Sequence, residues 1–135
     1  MSGHKKRVWE ENEIAQEVAE AAARVHTHLS AGLRESAYEA ALALELRSRG
    51  FQVARQHAIA VEGDVFRVDE GFRADLIVED KVLVELTSQQ TLPGIHHRQL
   101  RNDLRLAGKR LGVLIDFGRE SMQDNIRPIP DGPPE

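Results

Sequence analysis

Two apolar runs flank a short polar segment in the middle of the chain, and each run carries one carboxylate. The first run, 72–78 (FRADLIV), contains Asp75, and the second, 82–87 (VLVELT), contains Glu85. The residues between them, 79–81 (EDK), are typical of a turn, so the pattern predicts an antiparallel hairpin. A carboxylate within an almost continuously apolar strand is costly unless it is paired, protonated or bound to a cation. The fold therefore has to supply Glu85 with a partner, a proton or a cation.

The register of this hairpin decides whether the two carboxylates meet. With a three-residue turn, Val78 pairs with Val82, and Asp75 lies directly opposite Glu85 on the same face of the sheet. Thr87 shares that face because side chains alternate along a strand. A two-residue turn would instead place Asp75 and Glu85 on opposite faces. No Gly or Asn fixes the turn type here, so both registers stay open, and the first accounts for Glu85.

The shared-face register predicts a site for a divalent cation at Asp75 and Glu85. Two carboxylates at that separation repel each other unless something neutralises them. Mg²⁺ and Mn²⁺ prefer oxygen ligands, polarise phosphoryl groups and activate water. A lysine at position 87 would stabilise the charge that develops on a phosphate, but the chain has Thr87 there. The alternative interpretation is an ion pair at the solvent boundary, for example between Glu85 and Arg73.

The length of 135 residues predicts one domain, and the tail at 127–135 (RPIPDGPPE), which is rich in proline and charge, is predicted to be loose. Apolar residues at helical spacing predict helices at 12–30, 35–49 and 95–107. Besides the hairpin, strands are predicted at 51–61, 65–68 and 111–116, with turns at 62–64 and 69–71. When the short segment at 65–68 is not counted as a separate strand, the predicted order is α-α-β-β-β-α-β.

Composition narrows the class of protein. The 135 residues carry a net charge of −4, so any contact with nucleic acid needs a local basic patch. The chain has no cysteine, which excludes disulfides and thiolate metal sites. No apolar run approaches the roughly 18 residues of a membrane span, and the start of the chain does not resemble a secretory signal. We therefore expect a soluble cytoplasmic protein with no membrane partner.

Residues 32–38 (GLRESAY) resemble the G-x-x-E-x-x-Y signature of the GxxExxY protein family. Four further stretches resemble that family in order and spacing: YEAALALELRSRG, EGFRADLIVEDKVLVEL, the Gln-Leu of HHRQL, and GVLIDFG. The family is similar to the PD-(D/E)XK nuclease-like superfamily. The resemblance covers about 11–129 and implies a single domain over these residues, with flexible termini at 1–10 and 130–135. It also implies a restriction-endonuclease-like α/β fold, with an αβββαβ core, a mixed sheet and an extra N-terminal helix.

The resemblance also implies roles for individual residues. Glu35 resembles the acidic residue of the first core helix, and Glu39, one turn later, is its rival. Asp75 resembles the aspartate of the central strand, and 85–87 (ELT) falls at the (D/E)-x-K triplet. Gln99 resembles a glutamine of the following helix. The implied cofactor is Mg²⁺ or Mn²⁺, and its implied ligands are Asp75, Glu85 and Glu35.

Four arginines are candidates for contacting a nucleic-acid backbone: Arg73, Arg98, Arg101 and Arg105. The last three recur at helical spacing, which is typical either of a phosphate-binding stripe or of a solvated helix face. Asp103 lies among them, at a position where the family often has an aromatic residue. Arg73 would lie opposite Thr87 in the register of the three-residue turn.

The leading functional hypothesis is metal-dependent phosphodiester hydrolysis of nucleic acid by a site that includes Glu35, Asp75, Glu85, Thr87 and Gln99. Family members usually read VELK, so Thr87 replaces the lysine. Loss of one preorganised donor costs about 10²–10³ in rate, which predicts weakened or lost cleavage. The alternative is a catalytically degenerate module for nucleic-acid binding or protein assembly. A third hypothesis is a homo-oligomeric structural module, which the acidic net charge favours.

Overall fold

The structure is a computed structural model that describes residues 8–88 and 93–131. Its helices are α1 (Glu11–Leu29), α2 (Glu35–Ser48) and α3 (Pro93–Ala107). Its strands are β1 (Val53–Glu62), β2 (Arg67–Val78), β3 (Val82–Thr87), β4 (Leu111–Asp116) and β5 (Ile126–Pro130). The five strands form one sheet in the order β1-β2-β3-β4-β5. Strands β3 and β4 are parallel and the other neighbours are antiparallel, which confirms the predicted mixed sheet.

Helices cover both faces of this sheet. One apolar core joins α1 and α2 to the sheet, and its buried members include Ile14, Val18, Tyr38, Leu42, Leu76, Val84 and Ile115. A second core joins α3 to the sheet through Leu83, Leu114, Leu100 and Leu104. Because side chains alternate along a strand, Glu85 and Thr87 share the α3-facing side of β3 with Leu83. The polar side chains at the end of β3, Glu85 and Thr87, therefore lie beneath α3.

The β2–β3 hairpin has the predicted three-residue turn, with Val78 paired with Val82. Glu79 and Asp80 both adopt φ of 55°, so the left-handed turn forms without glycine. The Glu79 carboxylate accepts a hydrogen bond from the backbone N–H of Gln52 at 2.6 Å, which holds the turn against the start of β1. Because this contact joins residues far apart in the sequence, the local pattern at 79–81 could not show which turn would form.

The glycine and tyrosine of GLRESAY shape the connection between α1 and α2. Gly32 has φ of 101°, a conformation that favours glycine. The buried Tyr38 hydroxyl accepts a hydrogen bond from the backbone N–H of Leu33 at 3.1 Å and donates one to the carbonyl of Ser30 at 2.5 Å. The Tyr38 ring stacks on Phe117 with a centroid separation of 4.5 Å. In this structure, both residues serve the fold.

Two predictions about strands were wrong. The separate strand at 65–68 and the turn at 69–71 are replaced by the continuous strand β2, whose register with β1 shifts between Ile59 and Val61. The tail predicted to be loose forms β5, which pairs with β4 along its length. Proline is tolerated there because β5 is an edge strand. Of the termini expected to be loose, 1–7 and 132–135 lie outside the described residues.

The segment just before α1 is anchored. The Trp9 ring packs against Phe51 with ring centroids 4.6 Å apart. The backbone carbonyl of Trp9 accepts a hydrogen bond from Lys81 Nζ at 2.5 Å. In the described part of the chain, no helix is both long and apolar enough to cross a membrane.

Candidate metal and nucleic-acid site

Asp75 lies where β2 and β3 separate. The ladder between the two strands ends at Leu76 and Val84, one step before Asp75 and Glu85 would pair. The Asp75 side chain fills this gap, because its Oδ2 accepts a hydrogen bond from the backbone N–H of Leu86 at 2.8 Å. The predicted backbone pairing of Asp75 with Glu85 is therefore not formed, and Asp75 reaches β3 through its side chain.

Gln56 lies opposite Asp75 on the other side of β2. The pairs that flank this position continue in register, while Gln56 itself leaves the ladder with φ of 48°. Its Nε2 donates to Asp75 Oδ1 at 3.3 Å and also to Glu39 Oε1. A left-handed conformation in a non-glycine residue costs on the order of 1–3 kcal/mol and persists only where the surroundings impose it. Here the side chain bridges two carboxylates.

The two acids near the start of α2 occupy different environments. Glu39 is only 6% exposed and accepts hydrogen bonds from Arg55 Nε at 3.2 Å and Nη2 at 3.1 Å. Glu35 is exposed, yet partial desolvation, followed by the charges of Asp75 and Glu39, raises its pKa. Glu35 therefore lies within electrostatic reach of Asp75, whereas Glu39 is joined to Asp75 through Gln56.

Glu85 is the most perturbed acid of the site. Its Oε1 is buried and has no hydrogen-bond partner among the described residues. Burial raises the pKa of Glu85 to about 9, with further contributions from the charges of Asp75 and Asp103 and from hydrogen bonds with Asp103 and Asp75. Burial also raises the pKa values of Asp75 and Asp103, and the hydrogen bonds with Glu85 oppose both shifts. We call these three residues the carboxylate cluster.

The cluster holds a proton on Glu85 at neutral pH, because three neighbouring carboxyl groups cannot all ionise without a compensating charge. Within 8–88 and 93–131, no three histidine, aspartate or glutamate side chains converge closely enough to hold a metal ion on their own. A cation held by Asp75 and Glu85 would therefore need further ligands from water or substrate, and the role of Glu35 as a third ligand stays a prediction from the sequence. Mg²⁺ is commonly bound in this way.

The sequence did not identify Asp103 as part of the site. Asp103 is only 9% exposed and approaches Glu85 from α3. Gln99 is exposed and lies one turn before Asp103, so the two residues share a side of the helix. The signal available in the sequence was this four-residue spacing, which the surrounding arginines obscured.

Thr87 is 7% exposed and borders a cavity beneath the start of α3. The lysines in the described residues are engaged at the opposite end of β3. Lys81 binds the Trp9 carbonyl, and Lys109 Nζ donates to the carbonyl of Asp80 at 2.8 Å. Within that part of the chain, no lysine supplies an ammonium group to the carboxylate cluster.

A family model of the PD-(D/E)XK nuclease superfamily matches residues 12–129. The chain belongs to this superfamily. No curated protein and no solved structure matches the chain. The mixed sheet with helices on both faces agrees with the restriction-endonuclease-like fold of a PD-(D/E)XK domain. The lysine in the superfamily's name falls at Thr87 in our assignment of the motif.

The arginines are dispersed around this PD-(D/E)XK domain. Arg73 does not pair with Thr87 as predicted, because the β2–β3 ladder has ended; its backbone pairs with Ala58, and its Nη1 donates to the Gln56 carbonyl at 3.0 Å. The alternative ion pair with Glu85 is not formed, since the charges acting on Glu85 are those of carboxylates. The predicted stripe on α3 consists of exposed Arg98 and Arg105 and half-buried Arg101.

Proposed function

We propose that this protein is a metal-dependent nuclease-like protein whose hydrolysis of nucleic-acid phosphodiesters is weak because Thr87 replaces the motif lysine. The observation that carries the proposal is Glu85 Oε1, which is buried beside the Asp75 carboxylate and has no hydrogen-bond partner among the described residues. A buried carboxylate oxygen without a partner is costly. A divalent cation would remove that cost and also the repulsion between the two acids.

The donor chemistry fits Mg²⁺ or Mn²⁺. Asp75 and Glu85 would hold the ion, which supplies charge to polarise a phosphoryl group and lowers the pKa of a bound water. Leu86 N–H and Gln56 fix the orientation of the Asp75 carboxylate. Glu39 in turn fixes Gln56. This support keeps the two proposed ligands in place before any ion binds, which limits the reorganisation needed.

Glu35 would complete the site from the solvent side. It is the exposed acid within electrostatic reach of Asp75, and its raised pKa brings it closer to the range useful for proton transfer. We propose that Glu35 orients or deprotonates the attacking water. Gln99 projects from the side of α3 that carries Asp103, where a carboxamide can hydrogen-bond to a substrate phosphate.

Thr87→Lys tests whether the missing ammonium limits the reaction. With Mn²⁺ present, we expect the variant to cleave single-stranded DNA or RNA about 10²–10³ times faster than the wild type. Thr87→Val is the control, because it preserves size and adds no charge. Adding Glu85→Gln to Thr87→Lys should abolish the gain. A folded Thr87→Lys variant that binds Mn²⁺ yet cleaves no faster than Thr87→Val would contradict the proposed chemistry.

The second candidate function is binding of nucleic acid without cleavage. The contacts of Lys81 and Lys109 favour this binding function. Both ammonium groups bind backbone carbonyls away from Thr87, so neither is placed to replace the motif lysine. Oligonucleotide affinity measured with and without Mn²⁺ distinguishes this candidate. Metal-enhanced binding with no cleavage by the wild type or by Thr87→Lys would support a binding module. Assembly of identical chains and a cytoplasmic location remain predictions from the sequence.

A further inference from the structure

The cavity beside Thr87 has basic side chains in its wall, which are not part of the carboxylate cluster. It lies between the start of α3, the ends of β3 and β4, and β5, and its walls include Thr87, His97, Leu114, Asp116, Arg119 and Arg127. The cavity adjoins the cluster, because Leu114 pairs with Glu85 and Asp116 pairs with Thr87 in the parallel ladder. Whatever occupies it would lie next to a ligand held at Glu85.

Both arginines in the cavity wall are held through one nitrogen. Arg119 Nε contacts Asp116 Oδ2 at 3.1 Å, and Arg127 Nε donates to the carbonyl of Asp124 at 2.8 Å. Within the described residues, the terminal Nη groups of these two arginines have no hydrogen-bond partner. Asp116 is the acid of the cavity, and its Oδ1 also accepts the backbone N–H of Gly118 at 2.8 Å. Two oriented guanidinium groups therefore keep free donors.

His97 adds a third unsatisfied group. Its Nε2 is buried and has no hydrogen-bond partner in the described part of the chain. Burial, followed by the positive charges of Arg127, Arg101 and His96, lowers the pKa of His97. The imidazole therefore lies in a positive electrostatic environment. The start of α3 at Pro93 adds the positive end of a helix dipole.

We infer that this cavity is a phosphate subsite that binds a backbone phosphate of the nucleic acid next to the phosphodiester at Asp75 and Glu85. The inference rests on the proposed function. Guanidinium groups match phosphate oxygens in charge and geometry, and charge-assisted hydrogen bonds of this kind are the strong ones. A phosphate would satisfy Arg119, Arg127 and His97 together. Arg119 and Arg127 also place positive charge in the same cavity wall as Thr87, where the motif lysine is missing.

The test measures binding without metal. In EDTA, we expect inorganic phosphate to bind the wild type and to displace a short single-stranded oligonucleotide at constant ionic strength. Arg127→Gln should weaken phosphate binding about tenfold or more, because it removes a charge-assisted pair. Arg127→Lys should lose less, since it keeps the charge. Arg110→Gln is the matched control, because exposed Arg110 lies beside the opposite end of β4 and should leave affinity unchanged.

Three outcomes would overturn the inference: equal weakening by Arg127→Gln and Arg110→Gln, no phosphate binding by the wild type, or phosphate binding that leaves the oligonucleotide in place. The last outcome would assign the cavity to a free anion. The double change Asp75→Asn/Glu85→Gln separates this inference from the proposed function. We expect it to remove Mn²⁺ binding and to leave phosphate binding in EDTA within about twofold of the wild type, since its residues lie outside the cavity wall.

Discussion

The backbone N–H of Leu86 donates a 2.8 Å hydrogen bond to Oδ2 of Asp75, at the point where the ladder between β2 and β3 has ended. One carboxylate therefore does two things: it holds the end of β3 to β2, and it stands beside Glu85 as a proposed metal ligand. Stability and metal binding should respond differently to changes at Asp75.

Replacing Asp75 by alanine should lower the free energy of unfolding by about 1–3 kcal/mol, because the Leu86 N–H loses its partner. Asp75→Asn should retain most of the stability, since an amide oxygen can accept the same hydrogen bond. Asn carries no charge, so this variant should still lose Mn²⁺ affinity. Urea unfolding with and without Mn²⁺ measures both effects. Equal stability of the alanine and asparagine variants would show that the hydrogen bond contributes little.

Glu85 should make the protein less stable as the pH rises. Its ordinary pKa is 4.5, and in the folded protein it is about 9. Between these values the folded state holds a proton that the unfolded chain has released. The stabilising contribution is therefore fully present below about pH 4.5 and is lost as the pH rises towards 9.

Glu85→Gln removes this titration and should flatten the dependence of stability on pH. The variant should therefore gain stability relative to the wild type as the pH increases from 5 to 9. Melting temperatures across that range, measured in EDTA, provide the test. Parallel curves for the two proteins would mean that Glu85 titrates normally in the folded state.

Substitutions of the two acids on α2 should affect stability differently, because Glu39 supports the fold and Glu35 is proposed to act in the reaction. Glu39→Ala removes the buried carboxylate that accepts hydrogen bonds from Gln56 and Arg55. This change should lower the free energy of unfolding by about 1.5–3 kcal/mol. Glu35→Ala alters an exposed side chain and should change stability by no more than about 0.5 kcal/mol. Chemical denaturation compares the two variants. A larger loss for Glu35→Ala would reverse the assignment of Glu39 as the supporting acid.

Gly118 should tolerate no side chain. A Cβ at this position would lie 2.3 Å from the carbonyl oxygen of Ser88, the residue that follows Thr87. Gly118→Ala should therefore destabilise the protein by about 1–3 kcal/mol and displace the end of β3. The control is Glu120→Ala, an exposed change in the same connection. Similar melting temperatures for both variants would contradict this close approach.

Local pattern was enough to predict the hairpin at the centre of the site. The apolar run at 82–87 and the strand at 111–116 have the predicted bounds, and Val78 pairs with Val82 as the three-residue turn requires. The sequence left that turn ambiguous because its left-handed conformation depends on Glu79, which reaches across to β1. Distant contacts of this kind do not appear in a local pattern.

Other features depended on tertiary pairing. Residues 69–71 read as a turn, but β1 pairs on both sides of them and keeps them in β2. Arg127–Pro130 read as a loose tail, but β4 offers an edge that proline can occupy. Asp103 read as part of a charged helix face, and only the packing of α3 on the sheet brings it to Glu85. The sequence predicted that Asp75 and Glu85 would lie close together, whereas it did not predict the residues that support them.

Isothermal titration with Mn²⁺ tests the central claim most directly. We expect the wild type to bind one Mn²⁺ and Asp75→Asn/Glu85→Gln to bind none. Asp64→Asn, an exposed change in the β1–β2 connection, should bind as the wild type does. Binding should also release a proton, because Glu85 must ionise to become a ligand. Equal Mn²⁺ binding by all three proteins, or none by the wild type, would contradict a metal site at Asp75 and Glu85.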